Sequence, residues 1–410
     1  MKKYIFSLGI LIPLFFGACN SKSPQNEQSL KDGKWRGEFS AKEGIIPFIF
    51  EIKKGAPNTN TYLTFINGGE EVISDSVTYR GDSVFIPIKA YDTQFEGVFK
   101  GDTLSGVFKR LFADNDKGLP FKAIYGESPR FTAEGTATDT LTGKWDIQFL
   151  TDSSSVSNVG IFKQDNGILT GSILTNSGDL RYLEGVIDQN GFKLSAFAGL
   201  SPYLVQGKFT DKNNFEGEFI TARGKQKIKG QRNDKATLAD PYTLTKLKPG
   251  SKSLSFKLPD LKGNTVSLSD DKFKGKVVIV SILGSWCPNC LDEAAFLAPW
   301  YRDNKSRGVE IVGLAFERKD DPEYVNKVLS NFVQKYNIEY DVLFAGKIGA
   351  DKTVLPEIDG LKSYPTTFFI DKKGNVRKIH TGFNGPATGL FYDEFKADFN
   401  KIIDDLLNEK

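Results

Sequence analysis

Gly33-Lys34-Trp35-Arg36-Gly37-Glu38-Phe39 returns as Gly143-Lys144-Trp145-Asp146-Ile147-Gln148-Phe149. Farther on, Phe95-Glu96-Gly97-Val98-Phe99 and Leu104-Ser105-Gly106-Val107-Phe108 return as Val205-Gln206-Gly207-Lys208-Phe209 and Phe215-Glu216-Gly217-Glu218-Phe219. Trp35 to Trp145, Gly97 to Gly207 and Phe99 to Phe209 keep one offset, and Gly106 to Gly217 differs from it by one. An offset held across distant landmarks implies a duplication, so this half of the chain must fold twice in a similar way. Between the landmarks, alternating runs such as Ile46-Pro47-Phe48-Ile49-Phe50-Glu51-Ile52 are punctuated by Asn-Gly, Gly-Asp and Gly-Gly turns, the pattern of an antiparallel meander. The 40 glycines and 33 phenylalanines fit short strands packed through aromatics. Two all-β modules are expected, at 31–125 and 141–232, each a small barrel or sandwich, or else two halves of one larger sheet structure. The polar stretch 126–140, rich in Thr, Ser and Glu, reads as the linker between them.

After a second linker at 234–251 the grammar changes to alternating β and α. Strands are expected at Lys276–Leu283, Val309–Phe316, Asp341–Phe344, Thr366–Ile370 and Val376–Thr381. Helices are expected from Asn289 to about Asn304, from Pro322 to Tyr336 and from about Gly389 to Asn408. The region 250–410 is therefore an α/β sheet covered by helices. A formal net charge of +3, from 54 basic and 51 acidic residues, leaves no electrostatic footprint for nucleic acid.

Met1-Lys2-Lys3 followed by apolar Tyr4 to Phe16 has the length of a signal-peptide core and is short for a transmembrane helix. It ends at Phe16-Gly17-Ala18-Cys19, which resembles the lipobox of bacterial lipoproteins. That resemblance makes 1–19 a signal peptide, Cys19 the lipidated residue and 20–30 a polar tether. It puts the protein in the cell envelope, anchored to a membrane by lipid and facing the periplasm.

Two cysteines remain, in Gly284-Ser285-Trp286-Cys287-Pro288-Asn289-Cys290. A structural disulfide closing so small a loop gains little chain entropy. A zinc site needs about four ligands, whereas the only histidine is His380; a haem attachment would need His where Leu291 stands. Neither metal nor organic cofactor is implied. His380 itself reads as a surface or capping residue. The pair follows a nearly continuous apolar strand and opens a helix, whose N-terminal N–H groups and dipole stabilise a thiolate. Cys287 at the mouth is then the attacking thiol, Cys290 the resolving one, and Trp286, Pro288 and Asn289 the rim.

With Tyr364-Pro365-Thr366 before another strand, this Trp-Cys-x-x-Cys resembles the thioredoxin superfamily, most closely the TlpA/ResA-like exported thiol-disulfide oxidoreductases, over about 249–410. The resemblance implies a thioredoxin fold and a cis Tyr364–Pro365 bond facing the cysteines. Tyr364, Pro365 and Thr366 would be the substrate-binding strip, its exposed backbone pairing with substrate. It also implies a role for Glu293, in a Cys-x-x-Cys-x-x-Glu pattern, as general base toward Cys290. Two places depart from the wider family: Ser281 stands where thioredoxin has a buried Asp, and Ala295 replaces a helix proline, with Pro299 placed to kink the helix instead. The implied activity is reduction of disulfides in envelope proteins, with a membrane thiol carrier as electron donor. Gly284 and Val280 occupy the Thr and Pro positions of a thiol peroxidase pattern, which leaves that alternative weak. A third reading makes the β modules the working part of an envelope ligand-binding lipoprotein.

Overall fold

Period-two burial builds the N-terminal half. In β1 (Gly33–Ala41), Trp35, Gly37 and Phe39 point inward between more exposed Lys34, Arg36 and Glu38. The computed structural model describes residues 1, 29–53, 60–126, 129–151 and 155–409; Cys19, the expected signal peptide beyond Met1 and the tether up to residue 28 lie outside the described residues. β1 is followed by β2 (Gly44–Lys53), β3 (Tyr62–Asn67), β4 (Glu70–Ile73), β5 (Thr78–Arg80), β6 (Ser83–Ile88), β7 (Thr93–Lys100), β8 (Thr103–Arg110) and β9 (Leu119–Tyr125). They form one antiparallel sheet in the order β4-β3-β2-β1-β9-β8-β7-β6-β5. The second copy comprises β10 (Gly143–Leu150), β11 (Ser155–Asp165), β12 (Ile168–Thr175), β13 (Gly178–Asp179), β14 (Leu183–Asp188), β15 (Gly191–Phe197), β16 (Pro202–Asp211), β17 (Asn214–Thr221) and β18 (Gly224–Arg232). Its order is β11-β10-β18-β17-β16-β15-β14-β12-β13, and the run from β11 to β14 repeats that of β2-β1-β9-β8-β7-β6-β5 in the first copy. The tryptophans also match: Trp35 Nε1 donates to Lys31 O (3.0 Å) and Trp145 Nε1 to Leu141 O (2.7 Å).

The copies differ in closure. In the second, β12 pairs with both β11 and β14, closing an eight-stranded barrel. In the first, the corresponding strands β3 and β5 do not pair: β4 takes the edge of β3, and three-residue β5 carries little apolar surface to bury. Of the architectures expected for the β modules, the second module takes the barrel, and the first is an open half-barrel. The open seam is filled from the barrel. Phe197 enters the aromatic core of the half-barrel, its ring centroid 5.0 Å from those of Phe39 and Phe65 and 5.1 Å from that of Phe108. Asn67 clips the same residue by its backbone, donating from Nδ2 to Phe197 O (2.9 Å) and accepting from Phe197 N at Oδ1 (3.0 Å).

The stretch 126–140 does more than link. Arg130 is buried, pairs with Glu184 (3.2 Å), and donates to Ser195 Oγ (3.1 Å) and to the carbonyls of Pro47 and Ile66. An arginine in a polar stretch looks solvated in sequence; here it ties half-barrel to barrel.

The C-terminal region begins with α1 (Pro241–Leu244), within the stretch read as a second linker, and a small hairpin of β19 (Lys257–Pro259) and β20 (Thr265–Ser267). β21 (Val277–Leu283), α2 (Pro288–Asn304), β22 (Val309–Glu317), α3 (Pro322–Tyr336), β23 (Asp341–Lys347), α4 (Asp351–Val354), β24 (Thr366–Ile370), β25 (Val376–Thr381) and α5 (Leu390–Asn408) follow. The sheet order is β23-β22-β21-β24-β25, parallel among β21 to β23 and antiparallel at β24 and β25, a thioredoxin fold. α2 reaches Asn304 as expected, with Pro299 inside it. Among the described residues, no helix is long and apolar enough to cross a membrane.

Candidate functional site

β21 is buried along its whole length and delivers the chain to the mouth of α2. Cys287 is the N-cap of that helix, and Pro288 follows at its start, where the N–H that proline lacks would have no helical partner. The Cys287 sulfur accepts from Cys290 N (3.3 Å), and its thiol donates to Tyr364 O (3.5 Å). Both cysteines are buried and free, Cys287 at 5% and Cys290 at 1% exposure. Burial pushes the Cys290 thiol well up, and neighbouring Cys287 and Glu293 push it the same way. The Tyr364–Pro365 bond is cis.

Glu293 lies on the buried side of α2, 2% exposed. Ser281 Oγ donates to its Oε2 (2.6 Å) and Thr367 Oγ1 to its Oε1 (2.5 Å). Burial raises its pKa from an ordinary 4.5 to about 7, opposed by the two hydroxyls. Ser281, which replaces thioredoxin's Asp, thus orients the carboxyl of Glu293. A second buried carboxyl, Glu317, accepts from Ser285 N (2.8 Å) and Oγ (2.9 Å), and burial raises it to about 7 as well. It pins the loop before Cys287, which Trp286 Nε1 also anchors by donating to Phe316 O (2.9 Å).

The raised Glu293 pKa has a definite sign. The folded protein holds the proton more tightly than the unfolded chain, so the carboxyl costs nothing below about pH 4.5 and destabilises increasingly as pH rises through 7. Glu293→Gln is therefore expected to be more stable than the parent above pH 7, by about 3 kcal/mol at most, with the difference vanishing near pH 4. Urea unfolding of both proteins at pH 5 and pH 9 measures it.

The β modules reach the rim on two sides. From the half-barrel, Phe112 stacks on Arg318, whose guanidinium carbon lies 3.5 Å from the Phe112 ring centroid and 5.2 Å from that of Trp286. The barrel contributes Asp179 O, which accepts from Asn289 Nδ2 (3.4 Å), and Ser177 O, which accepts from Ser363 Oγ (3.4 Å); Asn289 Nδ2 also donates to Phe383 O (3.0 Å). Gly178, at φ 139°, has no room for a side chain: a Cβ there would strike Asn289 Nδ2 and Phe383 O. Arg181 pairs with Asp292 of α2 (2.7 Å) and with Glu70 of the half-barrel, and donates to Pro288 O (3.3 Å). Burial pushes Asp292 up to about 7 against that pairing, helped by Asp179 and Glu70.

The strip beside the cis bond is less open than expected. Pro365 O accepts from Gly382 N (2.9 Å), the Thr366 side chain is buried with its hydroxyl on Ser363 O (2.8 Å), and Ser177 lies against Ser363. His380 is not at the surface: α1 and α5 cover it, with Tyr242 and Phe395 edge-on to its ring at 5.1 and 5.0 Å. Among the described residues, no group of three or more His, Cys, Asp or Glu side chains is placed to hold a metal.

A family model described as the AhpC/TSA family matches residues 249–379. The thiol-disulfide oxidoreductase ResA of Bacillus subtilis (strain 168) is 34% identical over 133 residues, 32% of this chain and 67% of that protein. ResA of Bacillus thuringiensis subsp. konkukian is 32% identical over 133 residues, 32% of this chain and 68% of that protein. This chain belongs to the TlpA/ResA-like thioredoxin superfamily. A solved thiol:disulfide interchange protein of Chlorobium tepidum TLS is also similar, with 27% identity and a TM-score of 0.31 over 38% of this chain and 97% of that one. The TlpA/ResA-like enzyme class is thiol-disulfide oxidoreductase. The family match falls within the C-terminal region, so the three-way junction around Arg181 brings residues from outside it against this TlpA/ResA-like site.

Proposed function

We propose that this protein is an exported, lipid-anchored thiol-disulfide oxidoreductase that faces the periplasm and reduces disulfides of envelope proteins through Cys287 and Cys290. One observation carries the proposal: Cys287 caps α2 with its sulfur on Cys290 N, beside Tyr364 and the cis proline. The Cys287 thiolate attacks a client disulfide, forming a mixed disulfide and releasing the first client thiolate. Cys290 then attacks the Cys287 sulfur, its proton passing to Glu293, and the second client thiolate leaves. The client gains two electrons, the cysteine pair becomes a disulfide, and a membrane thiol carrier restores the dithiol. Trp286, Pro288 and Asn289 shape the rim, and Tyr364 with Pro365 and Thr366 borders the incoming segment. The modules at 31–125 and 141–232 hold the domain at 250–410 and narrow its approach.

The redox direction is tested by equilibrating the protein in glutathione or dithiothreitol buffers. The expected Cys287–Cys290 potential is near that of thioredoxin, about −270 mV, and a value near about −120 mV makes the protein an oxidant and overturns the reductase reading. The anchor rests on the sequence around Cys19 and is refuted if mass spectrometry of the mature chain finds no acyl modification there.

A further inference from the structure

Arg318 follows β22 and stands at the Trp286 side of the thiol rim. Its guanidinium is stacked on Phe112 of the half-barrel and lies 5.2 Å from the Trp286 ring centroid. A stacked guanidinium keeps its N–H groups in the plane, pointing outward from its edges. Among the described residues none of them makes a hydrogen bond or an ion pair: Nη1 is shut in without a partner, and the Nε–Nη2 edge reaches solvent. The carboxylates that act on Arg318 are held by other groups. Glu317 accepts twice from Ser285, and Asp92 takes Lys327 Nζ (2.8 Å). Lys319, next in sequence, takes Asp114 (2.8 Å). Burial lowers the Arg318 pKa, yet a guanidinium keeps its proton at neutral pH. The stack that holds it is itself braced: Asp116 ties the β8–β9 connection by accepting from Arg110 N (2.8 Å) and Nε (3.0 Å), and Leu111 N donates to Asp92 O (2.9 Å). The half-barrel thus fixes a half-buried, unpaired cation beside the residue that precedes Cys287, and a cation held in advance binds an anion at little ordering cost.

We propose that Arg318 is a specificity residue for the disulfide exchange: its open Nε–Nη2 edge pairs with a carboxylate carried next to the disulfide that Cys287 attacks. This role rests on the redox reading above; the affinity of the edge for a carboxylate does not. An Asp or Glu side chain of a polypeptide client and the carboxylates of a small disulfide such as glutathione disulfide present the same chemistry.

The test uses the full chain, reduced with dithiothreitol and then freed of it, and follows its oxidation by cystine-linked peptides with Glu, Gln or Lys after one cysteine. At low salt the Glu peptide should react about fivefold faster than the Gln peptide, with the Lys peptide slowest. In about 1 M salt the three rates should converge, an arm that needs no variant and carries the test if the variants misfold. Arg318→Met should bring the Glu-to-Gln ratio to about one, and Arg318→Glu should invert the order in favour of Lys, which a merely structural role would not do. Equal rates for the Glu and Gln peptides in the parent, or a preference that survives in Arg318→Met, overturn the proposal. Glutathione disulfide separates the sources: a loss of rate in Arg318→Met as large as that with the Glu peptide extends the site to small disulfides, and a loss confined to the peptide assigns it to clients. If no peptide oxidises the protein, the redox reading fails, and the edge is read by itself from the Trp286 indole N–H resonance, assigned by its absence in Trp286→Phe. Acetyl-Ala-Glu-Ala-amide should move that resonance saturably and its Gln analogue should not; no difference between the two overturns the site.

Discussion

Cys290→Ser is expected to leave the protein covalently attached to its clients through Cys287, with turnover reduced by about a thousandfold or more. The attack by Cys287 remains, but the intramolecular displacement that releases it is gone, and effective molarities for such well-placed groups are very large. Non-reducing gels followed by mass spectrometry of the adducts read the result. Cys287→Ser should form no adduct, because Cys290 is the more deeply buried thiol and burial holds it in the protonated form. Adducts appearing only through Cys290 in that variant would reverse the two roles.

Arg181→Met should destabilise the protein by about 3–5 kcal/mol, the usual consequence of removing one partner from a buried ionic group. Its guanidinium serves Glu70 and Asp292 at once, joining the half-barrel and α2 through a residue of the barrel. The loss should be largest above pH 7, where Asp292 would be stranded as an anion, and smaller below it, where Asp292 takes a proton. Denaturant unfolding at pH 5.5 and pH 8.5 measures the difference, and equal losses at the two values would remove Asp292 from the explanation.

What could be read from the chain alone depended on how local its cause was. Cys287, Pro288 and Cys290 act within one helical turn, and the landmarks Trp35 and Trp145 repeat with their neighbours, so both signals survive in a linear string. The partners of Glu293 do not. Ser281 and Thr367 sit on adjacent strands β21 and β24, paired with each other in register, and only that pairing aims both hydroxyls at one carboxyl. Ser281 looked like a loss when compared with an aspartate at the same place. Arg130 and Arg181 are ordinary surface residues by composition; their burial is decided by carbonyls and carboxylates tens of residues away. His380 ends a strand in sequence, but whether it meets solvent depends on α1 and α5 folding over it. Likewise nothing in the repeat distinguishes a copy that closes from one that stays open, since closure turns on the few residues of β5.

The Phe197 insertion has a bearing on how the chain matures. Residues of the half-barrel leave the ribosome, or emerge across a membrane, before Phe197 does, because the growing end comes last. Until that ring arrives, Phe39, Phe48, Phe65, Phe95 and Phe108 surround a gap in their own packing. The copy synthesised first is thus the one completed later, and it waits for a side chain from its twin. Within this duplication, one member finishes the other.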